Sequence, residues 1–435
     1  MAFLGMRGTG SWATDQRPKN WREGILFLYP NGKAPLTAIM SKLKSEKVTD
    51  PEYYWWTKNL ASQRATVTGV YTDSGLSSAY VSGGTTGSVL YFKMSAADEA
   101  QFRIGHVVLL RDASDFTVDV NAKVTAVVSN GSSSYIKVSL LENDDNSGYA
   151  HDLSDCDTVI IIGNVNEEGA AIPTAVSYDP DKYYNYTQIF RTPLKITRTA
   201  RLTTLRTGDA YKELKREALE IHSIEMEKAM MFGIATENTG TGGYPERTTQ
   251  GIISFLRANN SGNVTDFSLN ATYDGKAWTD QGGGEEFLDN YLEQVFRYGS
   301  EEKLALCGSG ALLGLNKLAR AGSHMDLTPQ SKDYGIQVIR WITPFGTLYL
   351  KTHPLMSYDA TLRNGMLIID PSMIKYRYIT DTTFYAEGEA KQASPGSQYG
   401  RVDATTEEYL TEAGIEVHHP YCHMYLDGIG EDNPA

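Results

Sequence analysis

Cysteine is scarce in this chain. Its 435 residues include three, Cys156, Cys307 and Cys422, far apart and odd in number, which excludes a disulfide framework and points to a reducing cytoplasm. Positive charge is short as well. No basic run offsets a net charge of -13, so a protein whose work is gripping DNA or RNA is excluded, because phosphate binding needs clustered Lys and Arg. Nothing approaches the run of about 18 apolar residues that crosses a membrane. The start, MAFLGMRGTGSWATDQRP, has too short an apolar stretch before Arg7 and Asp15 for a signal peptide. Catalytic motifs are lacking too: there is no phosphate-binding lysine loop, no His-Glu-x-x-His pair and no coherent acid–base constellation.

What is present is a folded protein of about two to four domains, at roughly 150 residues each. An apolar fraction of 41% supplies a core, and the 40 glycines and 27 tyrosines lean the balance toward sheet and turn. One long helix stands out, DAYKELKREALEIHSIEMEKAMMFGI, Asp209 to Ile234. Tyr211, Leu214, Ala218, Ile221, Ile224 and Met231 recur in threes and fours, with one gap of seven, and predict its dry face. Asp209 suits the N-cap, and Gly240, Gly242 and Gly243 forbid continuation beyond Asn238. At 1.5 Å per residue such a rod is roughly 37 Å long, and its Met-rich end (Met226, Met230, Met231) suits a strut laid on a sheet.

Ahead of it, the first 60 residues read as an arm, with a short helix through Leu36, Ile39, Met40 and Leu43 and then PEYYWW. Tyr53, Tyr54, Trp55 and Trp56 are residue types found at buried interfaces, or in a local aromatic core. From Thr66 to Ile162 the pattern is that of a small all-β module, a barrel or sandwich. Within it, Ala122–Val128 and Tyr135–Leu140 form a hairpin turning near Asn130-Gly131, and a further strand follows Gly105. The next stretch alternates through Ile189, Leu194 and Ile196 around Pro193, which places it on an edge strand or a projecting arm that a partner must cover.

Beyond the long helix the pattern is α+β. GIISFL predicts a short strand, EEFLDNYLEQVFRYG a helix stopped by Gly299, and KLALCGSGALLGLNKLAR a strand, glycine turn and helix. IQVIRWITPFGTLYLKTHPLM predicts a hairpin near Phe345-Gly346, GMLIID a buried strand ending at Asp370-Pro371, and the close two extended segments broken at Pro420.

Three constellations invite chemistry. Gly308 to Gly314 sits between strand and helix, where backbone amides can cradle a pyrophosphate. The following hairpin and a missing acidic partner favour a tight connection instead. His418, His419, Cys422 and His423 are metal-binding types, but neighbours on a strand point to opposite faces, which favours histidines flanking a bend. Asp144-Asp145-Asn146-Ser147-Gly148 resembles the start of a calcium loop without its closing glutamate.

The order of these pieces resembles the major capsid proteins of tailed bacteriophages, with the Hong Kong 97-type fold. PLTAIMSKL with EYYWW, NYTQIF, the long helix, LCGSGALLGLNKLA, TPFGTLYL, GMLIIDPSMIKYRYI and YLTEAGIEVHHPYCHMYLDGI carry the resemblance. It covers the chain except Thr66 to Ile162, which looks like an insertion.

The resemblance implies an α+β fold with an arm at 1–60 and an extended loop at 61–206 carrying the inserted β barrel at about 66–162. A peripheral domain at 207–284 would hold the spine helix (209–234), followed by an axial domain at 285–375 and returning strands at 376–435. It implies a non-enzymatic virion protein without cofactor or metal, assembled in the host cytoplasm into hexamers and pentamers of an icosahedral head that encloses double-stranded DNA. Scaffolding, portal and decoration proteins are the implied partners. No residues match the lysine–asparagine–glutamate trio by which some members cross-link their shells. The inter-subunit candidates are Trp55, Trp56, Tyr186, Ile189, Phe190, Glu213, Arg216 and Glu220. The alternatives are a nucleotide-binding enzyme using the Gly308 turn and a phage tail or adhesin component built on the β module.

Overall fold

The computed structural model describes residues 45–58, 62–112, 119–144, 153–169, 172–203, 209–321, 327–332, 336–385 and 404–434. The short helix expected through Leu36 and Leu43 and most of the acidic loop after Asp144 lie outside them. The chain divides into two units, Trp56–Asp181 and the remainder, Met1–Trp55 with Lys182–Ala435.

The smaller unit is built on period-two strands that bury one side each. β3 (Arg64–Tyr71), β4 (Val89–Met94), β5 (His106–Arg111), β6 (Asp119–Val128), β7 (Tyr135–Leu140) and β8 (Thr158–Asn164) close into a barrel in the order β3-β4-β7-β6-β5-β8. On β7, Ile136, Val138 and Leu140 point into its core beside Phe92 and Val124, while Lys137 and Ser139 alternate between them. The β6–β7 hairpin turns through Gly131 at φ 54, a left-handed position that glycine takes without a Cβ penalty. Closure leaves this module no sheet edge to protect.

The larger unit holds two main sheets. β1 (Ser45–Lys47), β10 (Gln188–Thr197), β19 (Ile374–Tyr385) and β20 (Ala404–Val417) form one, in the order β1-β19-β20-β10. β10 is an edge strand, as Pro193 within it requires. The long helix, Ala210–Phe232, is capped by Asp209, whose side chain accepts from Tyr211 N–H at 3.0 Å, and it packs on β10 and β20. Its buried face differs from the expected one. Ala218 and Met231 are buried, but so are His222, Met226, Glu227 and Met230, while Ile221 is 43% exposed. The helix is turned so that two polar side chains meet partners on the neighbouring strands and loops, which an apolar period cannot register.

The second sheet contains β13 (Val264–Asp266), β14 (Glu302–Cys307), β15 (Leu327–Lys332), β16 (Ile336–Thr343), β17 (Gly346–Thr352), β18 (Met366–Ile369) and β21 (Met424–Asp427), in the order β13-β21-β18-β14-β17-β16-β15. The helix Gly284–Phe296 and the 3-10 turns before it contribute an aromatic core of Phe267, Tyr273, Trp278 and Phe287, stacked mostly edge to face. The hairpin β16–β17 and the buried strand β18 stand where the sequence places them. GIISFL does not form a strand. Ile252–Asn259 is a helix, and its Ile252, Ile253, Phe255 and Leu256 are buried. A short continuous apolar run fits either element. Here Gly251 lies against the backbone of Met231 and Gly233, so the chain turns sharply into a helix.

Two ribbons complete the unit: β2 (Glu52–Thr57) with β9 (Asp181–Tyr186), and β11 (Thr236–Thr239) with β12 (Pro245–Thr248).

Candidate functional site

The glycine turn after β14 opens the helix Ser309–Ala321, and its amides are already engaged. Gly308 N–H donates to Gly365 O at 3.0 Å, Ser309 N–H to Ser357 Oγ at 3.1 Å and Ala311 N–H to Arg363 O at 3.0 Å. A Cβ on Gly308 would stand 2.1 Å from Arg363 O, and one on Gly314 2.8 Å from Gly430 Cα. The space a phosphate needs is filled by backbone, so the turn is a close-packed fold connection.

The histidines at the β20–β21 bend have structural partners. His423 is fully buried; its Nδ1 accepts from Asp370 N–H at 3.2 Å, so Nε2 carries the proton and donates to His418 O at 3.1 Å. Burial, with the Lys303 ammonium nearby, pushes its pKa down to about 4. Lys303, itself buried, donates to Tyr298 O and Cys422 O, both at 3.0 Å, and lies 3.9 Å from Asp370 Oδ2. Among the described residues no group of three His, Cys, Asp or Glu side chains could hold a metal.

What remains is surface, and the expected contact residues divide there. Trp55 and Phe190 are not surface residues. Each is 5% exposed: Trp55 donates Nε1–H to Val417 O at 3.0 Å and packs on Tyr183 and Phe255, and Phe190 stands edge-on to His222. Strand alternation explains the correction, since their neighbours Trp56 and Ile189 take the outward faces at 60% and 58% exposure. Tyr186 is half-buried on the β2–β9 ribbon. On the long helix Glu213 is half-buried, and Arg216 pairs with Glu220 at 3.1 Å between the exposed Leu219 and Ile221.

The helix is fixed beneath that surface by polar groups that sequence periodicity missed. His222 Nδ1 meets Thr192 Oγ1 on β10 at 2.9 Å, and its Nε2 meets Thr411 Oγ1 on β20 at 2.8 Å. Burial lowers its pKa and keeps it neutral between the two hydroxyls. The root of the arm is fixed by charge. Glu46 on β1 is bridged by Arg377 and by Lys375 at 3.5 Å, while the buried Glu416 takes Arg377, His418 and Lys375. Burial pushes the Glu416 carboxyl up, and the bonds from His418 and Arg377 outweigh it, holding the group below its usual range.

Two further features escaped sequence reasoning. The tip of β10 runs into a short helix, Arg198–Leu202, none of whose residues is buried. Its signal was local charge: no Asp or Glu occurs between Asp181 and Asp209, a cationic stretch that the acidic total hides. The β2–β9 ribbon turns Tyr54, Tyr184 and Tyr186 outward, and the alternation in EYYWWT and DKYYNY could have shown it.

Comparison with known proteins adds the family. A family model described as SU10 major capsid protein matches residues 8–430. The major capsid protein of Pseudomonas phage PaMx41 is 24% identical over 420 residues, covering 94% of this chain and 92% of that protein. Of solved structures, that of Mycobacterium phage Cain is 8% identical with a TM-score of 0.45, covering 97% of this chain and 96% of that one. The capsid of a native GTA particle is 9% identical with a TM-score of 0.42, covering 98% of both chains.

Proposed function

The chain belongs to the SU10 major capsid protein family, and from that premise we propose that its copies gather into hexamers and pentamers and close into an icosahedral head around double-stranded DNA. We read the fold as Hong Kong 97-type. The long helix with the four-stranded sheet serves as the peripheral domain, and the seven-stranded sheet, less its β21 and β13 edge, as the axial domain. The inserted barrel faces outward, available for decoration or host contact. The observation that carries this reading is the β10 edge strand, which ends in a tip its own subunit does not cover.

Trp56, Tyr186 and Ile189 contribute the apolar part of the contact between subunits. The exposed side of the long helix, at Glu213, Arg216 and Glu220 with Leu219 and Ile221 beside them, meets the flank of the neighbour's loop. Obligate contacts of this kind bury above about 2,000 Å² in total. The net charge of -13 suits a container that must not adhere to its genome. Assembly takes place in the host cytoplasm, with a separate scaffolding protein or on this chain alone, and portal and decoration proteins join the shell. Electron microscopy of the chain, expressed alone and with a scaffolding protein, tests the reading. Rings or shells are expected; compact monomers under both conditions would contradict it.

A further inference from the structure

The tip of the β10 arm and the tyrosine face of the β2–β9 ribbon are complementary in charge and shape. The helix Arg198–Leu202 buries nothing, and Leu202 is 73% exposed. Five residues fall far below the roughly 12–15 at which an isolated helix becomes even marginal in water. Its own chain gives it the Thr197 cap, accepting from Ala200 N–H at 3.3 Å, and the Tyr211 ring 4.8 Å from the Arg201 guanidinium. Lys195, Arg198 and Arg201 make this exposed tip cationic.

The ribbon offers the counterpart. Tyr53, Trp55 and Asn185 face the core, while Tyr54 and Tyr184 face outward with ring centroids 6.2 Å apart, and Tyr184 and Tyr186 continue the row at 5.8 Å. Lys182 already rests its ammonium 3.8 Å above the Tyr54 ring, so the face accepts cations. Carboxylates rim it. Tyr54 OH donates to Glu52, whose backbone N–H is held by Asp50 at 2.9 Å, and the charges of Glu52 and Glu237 help raise the Tyr186 hydroxyl pKa.

The two surfaces cannot meet within one subunit. β10 leaves the ribbon at Gln188 and reaches Thr197 as a straight ten-residue strand paired along its whole length to β20. At about 3.3 Å per residue that holds the tip roughly 30 Å from its own ribbon. The occupant of the ribbon is therefore a second copy. Resting on the shell reading above, we propose that the cationic tip Lys195–Thr203 of one subunit docks on the Tyr54–Tyr184–Tyr186 face of the next, with Leu202 on the rings and arginines at the carboxylate rim. The contact joins two different patches, so it is head-to-tail. Such a contact generates closed rings when its rotation closes, the arrangement a capsomer needs. Arginine stacked on tyrosine beside a carboxylate is the chemistry of interface hot spots.

Cysteine cross-linking tests this, because Cys156, Cys307 and Cys422 are all buried and give little background. Chains carrying Leu202→Cys and chains carrying Tyr184→Cys are co-assembled, both diluted in excess wild-type chain so that particles form, and oxidised mildly. A covalent dimer is expected from the mixture and from neither variant alone, and adding Arg198→Glu to the first chain lowers its yield several-fold. Particles without the mixed dimer, or a dimer from Leu202→Cys alone, would overturn the contact. If the wild-type chain forms no particles, the shell reading fails and the contact with it, a failure the wild-type control identifies.

Discussion

Nε2 of His353 lies 2.8 Å from Oε1 of Glu227, and neither side chain is reached by solvent. His353 Nδ1 accepts from Met356 N–H at 3.3 Å, capping the helix Pro354–Tyr358, so Nε2 carries the proton and donates to the carboxylate. One bond thus ties the long helix to the end of β17. Glu227→Ala or His353→Ala leaves a buried partner unpaired and is expected to cost about 3–5 kcal/mol, whereas Glu227→Met with His353→Leu together costs less than the sum. Urea unfolding followed by tryptophan fluorescence measures the cycle; additive losses would contradict the coupling.

Adjacent tryptophans on β2 separate folding from assembly. Trp55→Ala removes a core ring and its bond to Val417 O, and is expected to lower stability by about 3–5 kcal/mol. Trp56→Ala is expected to change melting little while lowering the yield of particles. Equal melting losses for the two would contradict the assignment.

Charge reversal on the long helix gives a second separation. The Arg216–Glu220 pair is a surface i,i+4 contact, worth about 0.3–0.5 kcal/mol to folding. Glu213→Lys, Arg216→Glu and Glu220→Lys are therefore expected to leave monomer melting nearly unchanged and to reduce particle formation. Loss of both in parallel would make this an ordinary helix surface.

Acid stability follows from His423. Its folded pKa, about 4, lies below the unfolded value of 6.5, so the unfolded chain binds the proton first as pH falls. Its contribution is fully present above pH 6.5 and is lost on descending toward 4, by about 3 kcal/mol in all. His222, also depressed by burial, adds in the same direction. His423→Gln is expected to flatten the fall in melting temperature over that window. An unchanged slope would contradict it.

The glycine turn gives the last prediction. With backbone 2.1 Å from its would-be Cβ, Gly308→Ala is expected to destabilise the chain by roughly 1–3 kcal/mol or more, and nucleotides are expected to leave wild-type melting unchanged. A nucleotide-dependent rise would reopen the enzyme reading.

Much of this architecture is legible where one physical rule dominates. Alternation gave the barrel strands, Pro193 the edge strand, and Asp209 the helix start, because each acts within a few residues. The face of the long helix was not legible: His222 and Glu227 are buried only because Thr192, Thr411 and His353 arrive from distant parts of the chain. Ile252–Asn259 was misread for a related reason, since a four-position apolar cluster fits strand and helix alike until Gly251 fixes the turn. Among contact residues, knowing that Trp55 and Trp56 mattered did not say which one faced out; the register of β2 decided it.

Cryo-electron microscopy of particles assembled from the wild-type chain tests the central claim most directly. The expected map is a closed shell in which the β10 tip of every subunit continues onto the β2–β9 ribbon of the next. A shell whose tips fold back on their own subunits, or a chain that forms no shell, would contradict it.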